Sequence, residues 1–233
     1  MLCLFVDSEE NARYAAQKGK IIDVASFDRI TVYVSLFYGK PIIITSPGYT
    51  KVQMSDVFGR INQKYGITSF ISTGNVGSLQ PQLAAIGDIA IVTNALQYDV
   101  NFTPLGEPLT VPPFLGQGTF YANATLIEIA KVASEKVGFR YVTGRCISGD
   151  RFIANGTTAQ QLQRTFNGTF IDSECGTYGE LSFLGEIPFV AVKDVSNYAN
   201  GNAVADYNRY VTQADLTSTE IGLEMISLIV RKR

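Results

Sequence analysis

Apolar residues along this chain come in short runs, most of them ending in small or polar residues. Runs of that length bounded by turn formers read as buried strands. The first, residues 2–6, breaks into Asp7, Ser8, Glu9 and Glu10. A carboxylate cluster just past a strand reads first as the acidic start of a helix. Residues 30–37 and 41–45 are β-rich runs around Tyr38-Gly39-Lys40, which predicts a hairpin. Further strands are predicted over 68–72, 88–96 and 139–147, and another is led in by Pro188.

Between these runs the period changes from two to that of a helix. Met54, Val57, Phe58, Ile61 and Tyr65 form one apolar helical face. Thr125 with Glu128, and Thr158 with Gln161, fit capping boxes, each opening a helix. A helix follows the acids Asp172 and Glu174, and a final one runs from about Thr212 to the end, with Gly222 inside it. Arg231, Lys232 and Arg233 then complement the last turn of that helix. The tally is about six to eight strands interleaved with four or five helices. That predicts one α/β domain over residues 1–233, its sheet covered by helices on both faces.

Four strand ends carry small or polar clusters: 46–51, 73–78, 148–153 and 193–197. With Glu174 they are expected to line one edge of the sheet, where α/β domains build their sites. Gly74 and Gly77 let backbone approach a ligand, but the loop is neither GxGxxG nor a P-loop. The Pro- and Gly-rich stretch 104–118 carries apolar residues and reads as an ordered loop over a site or an interface.

Composition narrows the chemistry. The hydrophobic fraction of 46% suits a packed core, and the net charge of −2 with scattered cations argues against nucleic acid as partner. No run is long and apolar enough for a bilayer, and the first residues do not read as a signal peptide. Cys3, Cys146 and Cys175 form no CxxC pair and are expected as reduced thiols of a cytoplasmic protein. The four N-x-T sequons, at Asn101, Asn123, Asn155 and Asn167, are then read as chance. The chain has no histidine. That excludes Ser-His-Asp and Cys-His nucleophiles and a Cys/His zinc site, and leaves acid–base work to carboxylates, Lys, Tyr, Cys or water.

The segments TGNVGSL, GDIAIVTNALQYDVNFTPLG, TGRCISGDRFI, FIDSECGTYGEL and PFVAVKDVSN stand in an order and spacing that resembles the 5′-methylthioadenosine/S-adenosylhomocysteine nucleosidases of the nucleoside phosphorylase superfamily. The resemblance implies a three-layer α/β/α sandwich with a mixed, twisted central sheet, and a homodimer. It implies hydrolysis of the N-glycosidic bond of a small adenine nucleoside, with no metal or organic cofactor. Residue by residue, it makes Glu174 the acceptor of the ribose hydroxyls and Glu10 the water-activating base, reversing the plain helix-start reading. It stacks Phe152 on the adenine, reads the base edge with the backbone of Ile153, and orients the group at 197 with Ser196. Val76, Gly77, Phe102 and Leu105 line the pocket, and part of 104–118 reaches the 5′ pocket of a neighbouring subunit.

The departures from the family matter as much. Asn197 stands where the family has an aspartate that protonates the leaving adenine. An amide donates a hydrogen bond but delivers no proton. Asp194, three residues away on the same strand, faces the other side. Lys193 replaces an arginine, and Asn75 and Ser173 replace a serine and a methionine near the ribose. Three readings stay open: a nucleosidase with an altered acid site, a non-catalytic nucleoside-binding or structural relative, and a phosphorylase. The last needs a cation in the Gly-rich loop, which TGNVGS lacks.

Overall fold

The computed structural model describes residues 1–27 and 29–231. Of the basic cluster expected to close the last helix, Lys232 and Arg233 lie outside the described residues. In chain order the elements are β1 (Leu2–Phe5), α1 (Glu9–Gln17), β2 (Lys20–Phe27), β3 (Ile30–Phe37), β4 (Lys40–Thr45), α2 (Lys51–Tyr65), β5 (Ser69–Ser72), β6 (Asn75–Ser78), β7 (Ile89–Gln97), β8 (Phe120–Tyr121), α3 (Ala124–Val137), β9 (Tyr141–Ser148), α4 (Gly156–Phe166), β10 (Phe170–Asp172), α5 (Cys175–Gly185), β11 (Phe189–Asn197) and α6 (Ala203–Arg231).

The strands form one mixed sheet in the order β2-β3-β4-β1-β5-β11-β6-β10-β9-β7-β8. β7 pairs with β11 as well, antiparallel, so β11, β6, β10, β9 and β7 close into a ring. The unbroken apolar runs are explained by burial on both faces. On β1, Leu2 and Leu4 join the core under α1, α3 and α6, while Cys3 and Phe5 point into the core under α2 and α5. On β11, Val190 and Val192 go one way and Phe189 the other. This is the period-two alternation of a strand buried between two helical layers.

The expected β3–β4 hairpin forms, with Tyr38 and Gly39 both at positive φ, as a two-residue turn of matched twist requires. The sequence tally of strands falls short because β6, β8 and β10 are only four, two and three residues long. β2 is an edge strand held by β3 alone, and its half-exposed residues carry no clear period. Both predicted capping boxes are displaced. Asn123 caps α3 through Leu126 N–H, and Asn155 caps α4 through Thr158 N–H, while the capping box that does form is Thr50 with Gln53 on α2. α6 begins at Ala203 rather than near Thr212. Its Gly222 is needed for close approach, since a Cβ there would meet Thr73 Cγ2 at 2.8 Å and Leu4 Cδ1 at 2.9 Å.

Each sequon asparagine also has a local use. Asn123 and Asn155 are the caps just described, and Asn167 ends α4 in the left-handed conformation. Asn101 Oδ1 accepts from Thr103 N–H at 3.1 Å and Thr103 Oγ1 at 2.8 Å.

Candidate active site

A cavity of about 310 Å³ opens at the carboxyl ends of the strands. Each of the four predicted strand-end clusters contributes to it: Tyr49 and Thr50, then Asn75, Val76 and Gly77, then Phe152 and Ile153, and finally Asn197. Ser173 and Glu174 complete the wall before α5. Lys193 and Ser196 are buried directly behind it.

Glu174 stands at the N-cap position of α5 without capping it. Asp172 does that work, accepting Cys175 N–H at 3.1 Å, while Ser148 Oγ accepts Gly176 N–H at 2.7 Å. The Glu174 side chain is thereby released from helix capping. It receives Lys193 Nζ, which is fully buried and also donates to the Thr73 carbonyl at 2.8 Å. Burial, and then the charge of Asp7, push the Glu174 carboxyl well above its ordinary range, against the pull of Lys193. The lysine is held well above its ordinary value by Asp7 and Glu174, which outweigh the large opposing effect of burial.

β11 carries a bulge against β6, where Val195 faces Val76 and Asn197 faces Gly77. The extra residue is Ser196, so two successive side chains reach the site. Ser196 Oγ donates to Asn75 Oδ1 at 2.9 Å and accepts from Asn197 Nδ2 at 3.1 Å. Asn197 Oδ1 in turn accepts Ala199 N–H at 2.9 Å. Asp194 is absent from the cavity wall and lies toward Asp88.

At the other end Phe152 is half exposed and meets Tyr207 of α6 edge-on, centroids 5.4 Å apart. Among the described residues, none hydrogen-bonds the backbone N–H or C=O of Ile153. The mouth is fixed by Asp150, which accepts Lys51 N–H at 3.1 Å, and by Asp99, paired with Lys51 Nζ at 2.5 Å.

Three expected residues are elsewhere. Glu10 is exposed on the first turn of α1, with Ser8 as its cap, and lines no part of the cavity. The start of that turn is set by Ser8, which leaves Glu9 accepting from Tyr33 Oη at 2.7 Å and Glu10 facing solvent. Phe102 and Leu105 are exposed in the loop after β7, outside this cavity, and Phe114 of the same loop is fully exposed. Conversely, Asp7, Tyr49 and Tyr207 line the cavity without a sequence signal of their own having singled them out, and Asp215 of α6 lies just behind. Asp7 was within reach of sequence reasoning, since it is the first polar residue after β1; Tyr207 and Asp215 follow from no local signal.

Cys146, Asp172 and Cys175 bring their ligand atoms within 4.8 Å of one another. Both thiols are buried, and burial raises them, Cys146 to about 11. The Asp172 carboxylate is already used by Ser148 Oγ at 2.5 Å and by the start of α5. The trio is a hydrogen-bonded packing cluster.

A family model described as the phosphorylase superfamily matches residues 2–227. A 5′-methylthioadenosine/S-adenosylhomocysteine nucleosidase of Halalkalibacterium halodurans is 28% identical over 195 residues, covering 83% of this chain and 84% of the relative. The nucleosidase of Neisseria meningitidis, solved with methylthio-immucillin-A, superposes with a TM-score of 0.90 at 23% identity, covering 97% of each chain. A futalosine hydrolase mutant of Helicobacter pylori also superposes at 0.90, with 18% identity, over 97% of this chain and 98% of that one. These two likenesses are likenesses of fold. Among the described residues no helix is long and apolar enough to cross a membrane.

Proposed function

This chain belongs to the phosphorylase superfamily, and on that premise we propose that it hydrolyses the N-glycosidic bond of an adenine nucleoside of the 5′-methylthioadenosine and S-adenosylhomocysteine class. Residues 1–233 act as one domain in this reading. The observation that carries it is a single cavity with an aromatic wall, Phe152 and Tyr207, and a carboxylate end, Glu174 and Asp7, organised by a buried lysine. The half-exposed ring of Phe152 suits a purine. A carboxylate end suits ribose hydroxyls and the positive charge that builds at C1′ as the bond breaks.

In this mechanism the purine lies against Phe152, its edge on the backbone of Ile153. Asn197 Nδ2 donates to N7, held in place by Ser196 and Ala199. Glu174 Oε2 is taken by Lys193, and Oε1 accepts the ribose hydroxyls. Ser173, Asn75, Val76 and Gly77 close the ribose side. Water adds to C1′ as the C1′–N9 electron pair leaves with the purine. The acidic end favours water over phosphate as nucleophile, because a phosphate dianion there would face carboxylates around a lysine already neutralised. Phe102, Leu105 and Phe114, exposed and apolar, support a dimer in which this loop covers the partner's cavity. Three free, buried cysteines support a cytoplasmic setting.

The test is adenine release from methylthioadenosine and from S-adenosylhomocysteine by the full chain. Release at a steady rate supports the reading. A second reading, a nucleoside-binding protein without turnover, is favoured by Asn197, whose amide has no proton to give; binding of methylthioadenosine with no release by this chain or by Asn197→Asp would establish it instead.

A further inference from the structure

The nucleosidase reading leaves open which group takes the proton of the attacking water. Glu10, assigned to this task by resemblance, points to solvent. Asp7 lines the cavity and is buried. Its carboxylate is held from several sides. Oδ2 accepts Asn75 N–H at 3.1 Å and Asn75 Nδ2 at 2.8 Å, and Oδ1 faces Lys193 Nζ at 3.5 Å. The same Asn75 amide donates to Asp215 Oδ1 at 2.9 Å, and the charge of Asp7 acts on Asp215.

Two buried carboxyls that share an amide do not both carry charge cheaply. Burial first, and then the charge of Asp7, push Asp215 up to about 8, so it is the neutral partner at pH 7. α6 thus supplies a carboxylic acid joined to the carboxylate in the cavity wall through the amide of Asn75. Simple packing of α6 against the sheet would have been served by an apolar residue there.

Given nucleoside hydrolysis at this cavity, on which the assignment rests, we propose that Asp7 is the general base and that Asp215 is the positioning residue that holds it in register. The water oxygen bonds to C1′ as the C1′–N9 bond breaks, and the electron pair of that bond leaves with the purine. The water's second proton passes to an Asp7 oxygen and then to solvent. The purine, hydrogen-bonded at N7 by Asn197, takes its proton from solvent water.

The experiment is steady-state adenine release from methylthioadenosine by the full chain and its variants, with nucleoside binding measured separately. Asp7→Asn lowers kcat by about 10²–10⁴-fold with KM little changed, as loss of a general base does. Glu10→Gln stays near the parent rate. Wild-type release with Asp7→Asn unimpaired, or loss with Glu10→Gln instead, overturns the proposal and leaves the nucleosidase reading standing. No release by wild type or by Asn197→Asp overturns both. Because Asp7→Asn takes one of its two carboxylates from Lys193, Asp7→Ala is assayed with added formate, which can stand in for the missing carboxylate. Restored turnover supports the assignment, and a folded, nucleoside-binding variant that formate does not restore overturns it. Asp215→Asn tests the positioning role through the pH profile of kcat. Asp7, Lys193, Tyr49 and Tyr207 are the titratable groups facing Asp215. The wild-type profile inflects near pH 8 and the variant's does not; identical profiles remove Asp215 from the mechanism.

Discussion

Asn197 Nδ2 donates to Ser196 Oγ at 3.1 Å. The bond fixes the amide at the cavity wall with its nitrogen, not its oxygen, toward the serine. A carboxyl group at 197 would keep the Ala199 N–H on one oxygen and, when protonated, donate to Ser196 Oγ from the other. Asn197→Asp therefore enters a site already shaped for it. Its expected effect is a rise in kcat of about 10²–10⁴-fold, the usual worth of a general acid, with KM nearly constant. Single-turnover adenine release measures this directly. A variant no faster than the parent would mean that leaving-group protonation does not limit this site.

Lys193 is the hinge of the site's electrostatics. It is fully buried, with Glu174 and Asp7 as its ionic partners. Removing one partner of a buried ionic group leaves uncompensated charge, which costs about 3–5 kcal/mol. Lys193→Met is expected to lose that much stability in urea unfolding. Adding Glu174→Gln should recover part of the loss, because it removes one of the orphaned charges. Simple additivity of the two would contradict the coupling.

Much of this architecture is legible in the chain, and the failures have physical causes. β1, the β3–β4 hairpin, α2, β7, β9 and β11 declare themselves because each buries a long apolar set against a neighbour. The helix starts at 123 and 155 do not, because Thr125 and Thr158 mimic the capping pattern two or three residues inside the helix that an asparagine begins. The strand-end loops that form the cavity are readable as a set, since each alone more often serves structure but four at one sheet edge converge on a site. The family resemblance favours Glu10 over Asp7, because one turn of backbone, set by the Ser8 cap, decides which acid faces the sheet's edge. Asp215 and Tyr207 are invisible in it: α6 brings them to the site from the far end of the chain, and only tertiary packing says so.

Asp194 gives the fold a pH dependence that does not involve the cavity. Burial, aided by the charge of Asp88, pushes its carboxyl to about 7, from an ordinary value near 3.8. The unfolded chain ionises there at the lower value while the folded chain keeps the proton. The folded state therefore binds more protons between about pH 4 and pH 7, and stability falls as pH rises through that window, by up to about 1.4 kcal/mol per pH unit. Asp194→Asn removes the term. Urea unfolding at pH 5 and pH 8 is expected to show a smaller difference in the variant, with the variant more stable at pH 8. An unchanged difference would mean that Asp194 is ionised and solvated in the fold.

Gly74 ties the backbone of the Gly-rich segment to the carboxylate of Asp7. Its φ of 128° lies in the left-handed half of the map, which side-chain-bearing residues rarely adopt, and a Cβ on it would overlap the Asp7 carboxyl group. Its N–H is held by Ser218 Oγ at 2.9 Å and its carbonyl by Asp194 N–H at 2.8 Å, so the backbone cannot swing aside without breaking bonds to α6 and β11. Gly74→Ala must then displace Asp7, and with it the contacts of Asp7 to Asn75 and Lys193. The expected result is a loss of stability of about 1–3 kcal/mol from backbone strain, together with a fall in kcat comparable to that of Asp7→Asn. The contrast with Gly39 sharpens the test. Gly39 also has positive φ, but a Cβ there would meet nothing within 4 Å. Gly39→Ala should therefore cost stability and leave kcat unchanged. If both alanine variants lose stability and neither loses turnover, the position of Asp7 does not matter to the chemistry.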